Sequence, residues 1–334
     1  MTPELSVLLP AFNGARTLGA ALRSVQRQSE PRWECIVVDD GSTDDTLALA
    51  RAAAHTDARI QVLARPHGGI VAALQAGLAA CRAPLIARMD ADDLMSRGRL
   101  TLQRRALADA PELCAVGSHV RLFPRAGLRE GRLAYERWLC AIRTPEHVLR
   151  ERFVECPVAH PTLVIRREIL NELGYRDPGW PEDYDLILRL LEAGHRVGMV
   201  PERLLHWRDG EGRLSRTAEQ YAIAAFVQCK AEFLARGFLA AREHYLLWGY
   251  GDTGKALAEA LAQRGKHPAA ILELHPRRVG QWIRGVRVVL PDALPGLPRL
   301  PLIVSVAGAK PRAEIRSALS AFGFVEMRDY LCAA

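Results

Sequence analysis

Residues 5–40 read "LSVLLPAFNGARTLGAALRSVQRQSEPRWECIVVDD", and their pattern decides the fold class. A short apolar run is ended by Pro10. Leu18, Leu22 and Val25 then recur at helical spacing, and "WECIVVDD" is a second apolar run. Runs of this kind predict strands buried on both faces, and strand, helix, strand in that order predicts a β-α-β unit with parallel strands. The pattern continues. "STDDTLALARAAA" predicts a helix with Ser42 as N-cap and Asp44 and Asp45 in its first turn, "IQVLA" a strand, "GIVAALQAGLAAC" a helix and "APLIARMD" a strand. The expected class is α/β, a doubly wound, mostly parallel sheet, which takes ligands at the carboxyl ends of its strands. Asp39, Asp40, Asp90, Asp92 and Asp93 all fall at such ends.

The chain has 334 residues, 49% of them hydrophobic, enough for two domains. Its seven cysteines are scattered, odd in number and never spaced as a CxxC pair, so neither a thiolate zinc site nor a disulfide framework is suggested; reduced, mostly buried thiols are expected. The net charge of +7 is spread without basic runs, and only four of the 45 basic residues are lysine, so a nucleic-acid partner is not expected. No stretch approaches the length of a transmembrane helix, and "MTPELSVLLPAFN" does not read as a signal peptide. A cytoplasmic protein is expected, with peripheral association at the inner face of a membrane left open.

From about residue 100 to 215 the pattern is less regular, with helices at "RGRLTLQRRALAD" and "DYDLILRLLEAG", a strand near "AVGSHVRLF", and "TLVIRREIL" running from strand into helix. An acceptor site would be built there. The expected organisation is a first domain over 1–215, a helical connector over 216–243 and a second domain over 244–334. The last opens with "YLLWGYGDTGKALAEAL", a strand, a GxGxxG turn (Gly249, Gly251, Gly254) and a helix, followed by a strand with Glu273 after it. This is the layout of a dinucleotide-binding fingerprint, but about ninety residues hold only half a Rossmann domain. It resembles the nucleotide-sugar-binding modules attached to some sugar-modifying enzymes; two readings stand, a nucleotide site or a fold-only module that docks a partner protein.

"SVLLPAFNG", "WECIVVDDGSTDDT", "MDADD", "HPTLVIRRE" and "PEDYDLILRL" occur in the order and approximate spacing of the family 2 glycosyltransferases of GT-A fold. The resemblance covers about two thirds of the chain. It implies transfer of a sugar, with inversion, from a nucleotide diphosphate donor to a glycan, lipid-linked or other hydroxyl acceptor. The chemistry asks for such residues independently. A departing diphosphate concentrates negative charge that a divalent cation stabilises, and Mg²⁺ or Mn²⁺ takes oxygen ligands from carboxylates and phosphates. By similarity to the family's DxD motif, Asp92 or Asp93 would ligate the metal, and Asp90 would face the ribose or the uncovered edge of the metal site.

An inverting transfer needs one carboxylate to take the acceptor's proton, and Asp183 stands where the family has that base. Glu182 and Asp185 flank it. In the family one acid of the Asp39–Asp40 pair accepts the imide N–H of uracil; Asp40 is the preferred choice here. Pro10, Ala11 and Phe12 would wall the base pocket, with ordinary core packing the other reading of Phe12. Arg65 and Gly69, with Gly68, suit a nucleotide edge, although His67 and Gln75 replace asparagines common in the family. Arg208 matches an arginine near the diphosphate, while Gly210 replaces a histidine often found there, and His206 lies too early to serve as that metal ligand. His160 would shape the acceptor side or act as a structural histidine. A nucleotidyltransferase is the runner-up enzyme class, disfavoured by "PAFNGART" after the first strand, where that class carries a glycine-rich loop. A non-catalytic nucleotide-sugar-binding protein is the other alternative, disfavoured by the joint presence of Asp92, Asp93 and Asp183.

Overall fold

The computed structural model describes residues 2–210 and 219–334. The boundary expected at residues 215 and 216 lies outside the described residues. Two compact units emerge, one drawn from 1–148, 158–178 and 182–213, the other from 149–157, 179–181 and 214–334.

The first unit runs β1 (Leu5–Ala11), α1 (Ala15–Gln26), β2 (Trp33–Asp39), α2 (Thr46–Thr56), β3 (Ile60–Ala64), α3 (Gly69–Ala80), β4 (Leu85–Arg88), β5 (Leu94–Met95), α4 (Arg99–Asp109), β6 (Leu113–Phe123), α5 (Glu130–Ala141) and α6 (Pro145–Glu151), whose last residues belong to the second unit. It continues with β7 (Val164–Arg166), α7 (Arg167–Leu173), α8 (Glu182–Glu192) and β8 (Arg196–Arg208). Among the described residues its sheet has eight strands in the order β3-β2-β1-β4-β7-β6-β8-β5. The first four are parallel, and β7 and β5 run antiparallel to their neighbours. β1 is buried along its whole length because both faces are covered. Leu5, Val7 and Leu9 join one core with Leu18, Leu22 and Val25 of α1, while Leu8 faces α3, where a Cβ on Gly77 would come within 2.3 Å of its Cδ1.

The helix after β2 differs from expectation at its start. It begins at Thr46, with Asp45 rather than Ser42 at the cap position. Ser42 Oγ instead accepts the N–H of Asn13 (3.0 Å), Thr46 Oγ1 that of Gly14 (2.8 Å), and Asn13 Oδ1 that of Thr43 (2.8 Å). The Ser42 hydroxyl, which the sequence pattern assigns to capping, joins Thr46 and Asn13 in sewing the loop after β1 to the loop after β2.

The second unit comprises α9 (Ile223–Arg236), β9 (His244–Trp248), α10 (Asp252–Ala262), β10 (His267–Leu272), β11 (Trp282–Ile283), β12 (Val286–Val289), β13 (Leu302–Val304), α11 (Ala309–Ala321) and β14 (Tyr330–Cys332). Its sheet order is β11-β12-β10-β9-β13-β14, parallel except for β11. Gly249 has φ +93°, and a Cβ on Gly254 would lie 2.3 Å from Gly249 O and 2.5 Å from Ser305 Oγ, so the turn packs α10 directly on the strand ends. Glu273 accepts the N–H groups of Tyr250, Leu274 and His275 and pairs with Arg278 (3.2 Å). None of the seven cysteines forms a disulfide, and six are buried. Among the described residues no helix is long and apolar enough to cross a membrane.

Candidate active site

Strand order reverses between β1 and β4, since the chain goes outward through β2 and β3 and returns to place β4 on the other flank of β1. A doubly wound sheet opens its ligand crevice at that point. Pro10 keeps it open. Leu8 O accepts the N–H of Met89 (3.1 Å), so the backbone of Leu8, and of Pro10 two residues on, faces β4. The β1–β4 register ends at Leu8 and Arg88, and a proline beyond it has no N–H with which to extend the ladder. Pro10 and Ala11 are buried there, whereas Phe12 is 48% exposed and is therefore not a core residue.

Asp39 and Asp40 end β2 side by side but in different states. Asp40 receives Arg65 in an ion pair and the N–H groups of Gly68 (3.2 Å) and Gly69 (2.8 Å) on its carboxylate, while His67 Nδ1 is hydrogen-bonded to its backbone O (3.0 Å). Its carboxylate is saturated, and it ties the loop after β3 to the end of β2. Gly69 adopts φ +84° to deliver its N–H, and Gly41 (φ +75°) must lack a side chain because a Cβ would lie 2.6 Å from His67 N. His67 stacks on Phe12, ring centroids 4.2 Å apart. Asp39 is buried too, its Oδ2 takes the Ser42 N–H (3.3 Å), and its Oδ1 has no hydrogen-bond partner. A buried acceptor left open in a crevice is an unsatisfied group that a ligand N–H would satisfy. Of the two acids, the geometry leaves Asp39 available.

The acid turn follows β4. Asp90, Asp92 and Asp93 bring a carboxylate oxygen each to within 4.8 Å of one another, an all-oxygen set that suits a hard divalent cation. Asp93 is fully buried, and its Oδ1 accepts the backbone N–H of Arg208 (2.7 Å). Arg208 Nε donates to Asp92 O (2.7 Å), and its guanidinium lies 4.5 Å from the centre of the Phe123 ring. The end of β8 thus holds the acid turn in place.

Asp183 opens the first turn of α8, with Oδ1 accepting the Tyr184 N–H (2.7 Å). Burial raises its pKa to about 6; the Tyr184 N–H and the charge of Arg88 pull the other way, and Asp90 adds to the rise. Asp185 is fully buried and held by Arg176 (2.7 Å) and Arg189 (2.6 Å), a structural anchor. His160, buried 3.7 Å from Glu182 and hydrogen-bonded to Tyr175 Oη (3.1 Å), is kept well below its ordinary pKa by burial and by Arg88, and is neutral. Arg88 itself, buried and ion-paired with Asp90, was not singled out in the sequence. Its signal was there: a lone arginine inside the apolar strand "PLIARMD".

The sequence profile of Glycosyl transferase family 2 matches residues 6–174, about half of the chain, which takes in β1 to β7 and α7 but not α8 or β8. EpsE of Bacillus subtilis (strain 168) is 31% identical over 227 residues, 66% of this chain and 78% of EpsE. Among solved structures, residues 1–349 of TarS from S. aureus with UDP-GlcNAc superpose with a TM-score of 0.57 at 18% identity, covering 79% of this chain and 72% of that one. The mannosyltransferase PcManGT from Pyrobaculum calidifontis, with GDP-Man and Mn²⁺, gives 0.50 at 18% identity over 98% of this chain and 82% of that one. At such identities these structures speak for the fold, a GT-A sheet, and the profile speaks for the family. With its acids at the switch point of that sheet, this chain belongs to glycosyltransferase family 2.

Proposed function

We propose that the chain transfers a hexosyl group, with inversion, from a UDP-sugar to a hydroxyl of a glycan or lipid-linked acceptor, with Asp183 as base. The observation that carries this reading is the acid turn Asp90–Asp92–Asp93, an all-oxygen set at the end of β4, and beside it stands the Asp183 carboxyl, whose pKa burial raises toward the working range of a general base while the charge of Asp90 adds to the rise. Asp39 Oδ1 would accept the imide N–H of uracil over the wall formed by Pro10, Ala11 and Phe12. Asp40, with Arg65 and Gly69, would fix the loop that borders the base. Mg²⁺ or Mn²⁺, held by Asp92 and Asp93, would offset the charge of the diphosphate and of the leaving oxygen. Asp90 would face the ribose or the edge of the metal site, and Arg208 the diphosphate. The acceptor oxygen bonds to the anomeric carbon as its bond to the diphosphate breaks. The acceptor proton passes to Asp183, and the nucleoside diphosphate departs.

Thermal unfolding with UDP, with and without Mn²⁺, tests the donor half. A ligand present at about 100 times its Kd should stabilise the fold by about 2.7 kcal/mol. The shift should require Mn²⁺ and be lost in Asp92→Asn, which should melt like the wild type without ligand. A UDP response unchanged in that variant, with and without metal, would overturn the assignment.

A further inference from the structure

One edge of the second unit's sheet carries a stretch that the proposed reaction leaves unused. Residues 274–291, "LHPRRVGQWIRGVRVVLP", contain four arginines and no acid. The chain leaves β10, crosses to the outer side of β12 and forms the β11–β12 hairpin, in which Trp282 stands opposite Arg287 and Ile283 opposite Val286. Opposed residues of an antiparallel pair share a face, so Trp282 and Arg287 point the same way, while Val288, next to Arg287, points the other way and is buried. Trp282 is 70% exposed. Leu274 (68% exposed) and Leu290 (47%) follow the ends of β10 and β12, neighbouring strands whose register sets Leu272 beside Val289, so two more large apolar side chains stand in water at this edge. Arg277, Arg284 and Arg287 are exposed as well; Arg284 reaches Glu259 (2.5 Å), but a pair so open to solvent is weak.

We propose that this hairpin edge docks the protein on the surface of an anionic lipid bilayer, with Trp282, Leu274 and Leu290 entering the headgroup boundary and Arg277, Arg284 and Arg287 meeting the anionic headgroups. Charge and apolar exposure together select that partner. A nucleic acid would satisfy the arginines but leave the leucines in water, and an apolar protein groove would take the leucines but strip water from the arginines without replacing it. A bilayer boundary accepts both, because an amphipathic indole settles at headgroup level and basic side chains gain from the negative potential of the leaflet. The backbone adds an independent sign. The two-residue turn of the hairpin sets both Arg284 (φ +52°) and Gly285 (φ +79°) in the left-handed region, where Asn or Asp before Gly is the easier fit. Arginine there keeps a cation at the hairpin tip at a conformational cost. The inference concerns the second unit alone and stands whether or not the donor and base assignments hold.

The test is co-sedimentation of the full chain with vesicles of phosphatidylcholine alone and of phosphatidylcholine with about one third phosphatidylglycerol. The wild type should sediment with the anionic vesicles and stay in solution with the neutral ones, and raising the salt from about 0.1 M to 1 M should release most of it, since the screening length falls from about 10 Å to about 3 Å. Each arginine near an anionic surface strengthens binding by roughly fivefold, so the double variant Arg277→Gln/Arg287→Gln should bind about 25-fold more weakly. Trp282→Ala should lose about tenfold through apolar contact alone, and the loss should persist at every salt concentration where binding is measurable. The two variants alter different chemistry, so the arginine pair keeps the test usable should loss of the indole unfold the hairpin. Equal binding to neutral and anionic vesicles, or none to either, would overturn the inference, as would a folded arginine double variant that sediments like the wild type. A wild type that ignores both vesicles but retains a mixed-sequence oligonucleotide or an acidic protein would give the surface to that partner and overturn the bilayer reading.

Discussion

Asp183 carries a stability cost that its proposed role explains. Burial, with a contribution from Asp90, raises its pKa from 3.8 to about 6 against the pull of the Tyr184 N–H and Arg88, so the folded protein is penalised when the carboxyl ionises. Between about pH 4 and 6 the folded state keeps a proton that the unfolded chain has released, so this group's contribution falls as pH rises, and the penalty is fully present above pH 6. Asp183→Asn removes the penalty. We expect the variant to melt above the wild type at about pH 8, by a stability difference on the order of 1–3 kcal/mol, and to converge with it toward pH 3–4. The same change should cut transfer by roughly 10²–10⁴ while leaving UDP binding nearly intact. Wild-type turnover should decline as pH falls through about 6, because the protonated carboxyl cannot act as base. Equal melting of variant and wild type at pH 8 would mean that the carboxyl is not held in an unfavourable setting.

At the scale of elements, the GxGxxG turn of the second unit gives a sharp packing test. A methyl group on Gly254 would meet Gly249 O at 2.3 Å and Ser305 Oγ at 2.5 Å, and a backbone oxygen cannot swing aside. Gly254→Ala should therefore cost about 1–3 kcal/mol, read in the melting of the second unit; Gly251→Ala, where a Cβ meets nothing within 4 Å, should cost less than half of that. The same elements show what a sequence displays and what it hides. β1, α1 and β2 were legible because burial on both faces writes unbroken apolar runs and helical periodicity. The acids at strand ends were legible as positions, but their states were not. Asp39 and Asp40 are neighbours, yet Asp40 is consumed by a loop 25 to 29 residues away that folds back over it, and nothing local announces that. Ser42 was misread for the same reason, since Asn13, 29 residues earlier, claims its hydroxyl. Helix α5 and the thirteen-residue β8 went unread: α5 is rich in charge, and the register of β8 against β6 shifts between Ser118 and Val120, which breaks the alternation that marks a strand.

For the whole molecule, the chain does not divide at one point. Residues 149–157 group with the second unit although they precede α8 in sequence. The bonds within that unit say why. Glu151 takes Arg316 Nη2 at 2.9 Å, and buried Lys230 of α9 donates to Val154 O (2.8 Å) and Ala333 O (3.1 Å). The arginines beside Glu151 outweigh its burial and hold its carboxyl below the ordinary value, so it is charged, and removing it leaves Arg312 and Arg316 with less compensation. Loss of one partner from a buried charge cluster typically costs about 3–5 kcal/mol. A division at residue 244, drawn from the strand and glycine pattern, would sever Glu151 from α11 and Lys230 from the chain just after β14. We therefore expect a fragment of residues 244–334 to lack a cooperative melt. A fragment of 219–334, which regains α9, should be more protected in hydrogen exchange but still less so than the same residues in the full chain. In the full chain, Glu151→Gln should lower the stability of β14 and α11 preferentially, seen as faster amide exchange there than in β1 or β2. Should the 244–334 fragment unfold cooperatively at the temperature of the intact unit, α9 and residues 149–157 are accessories to a domain that begins at 244.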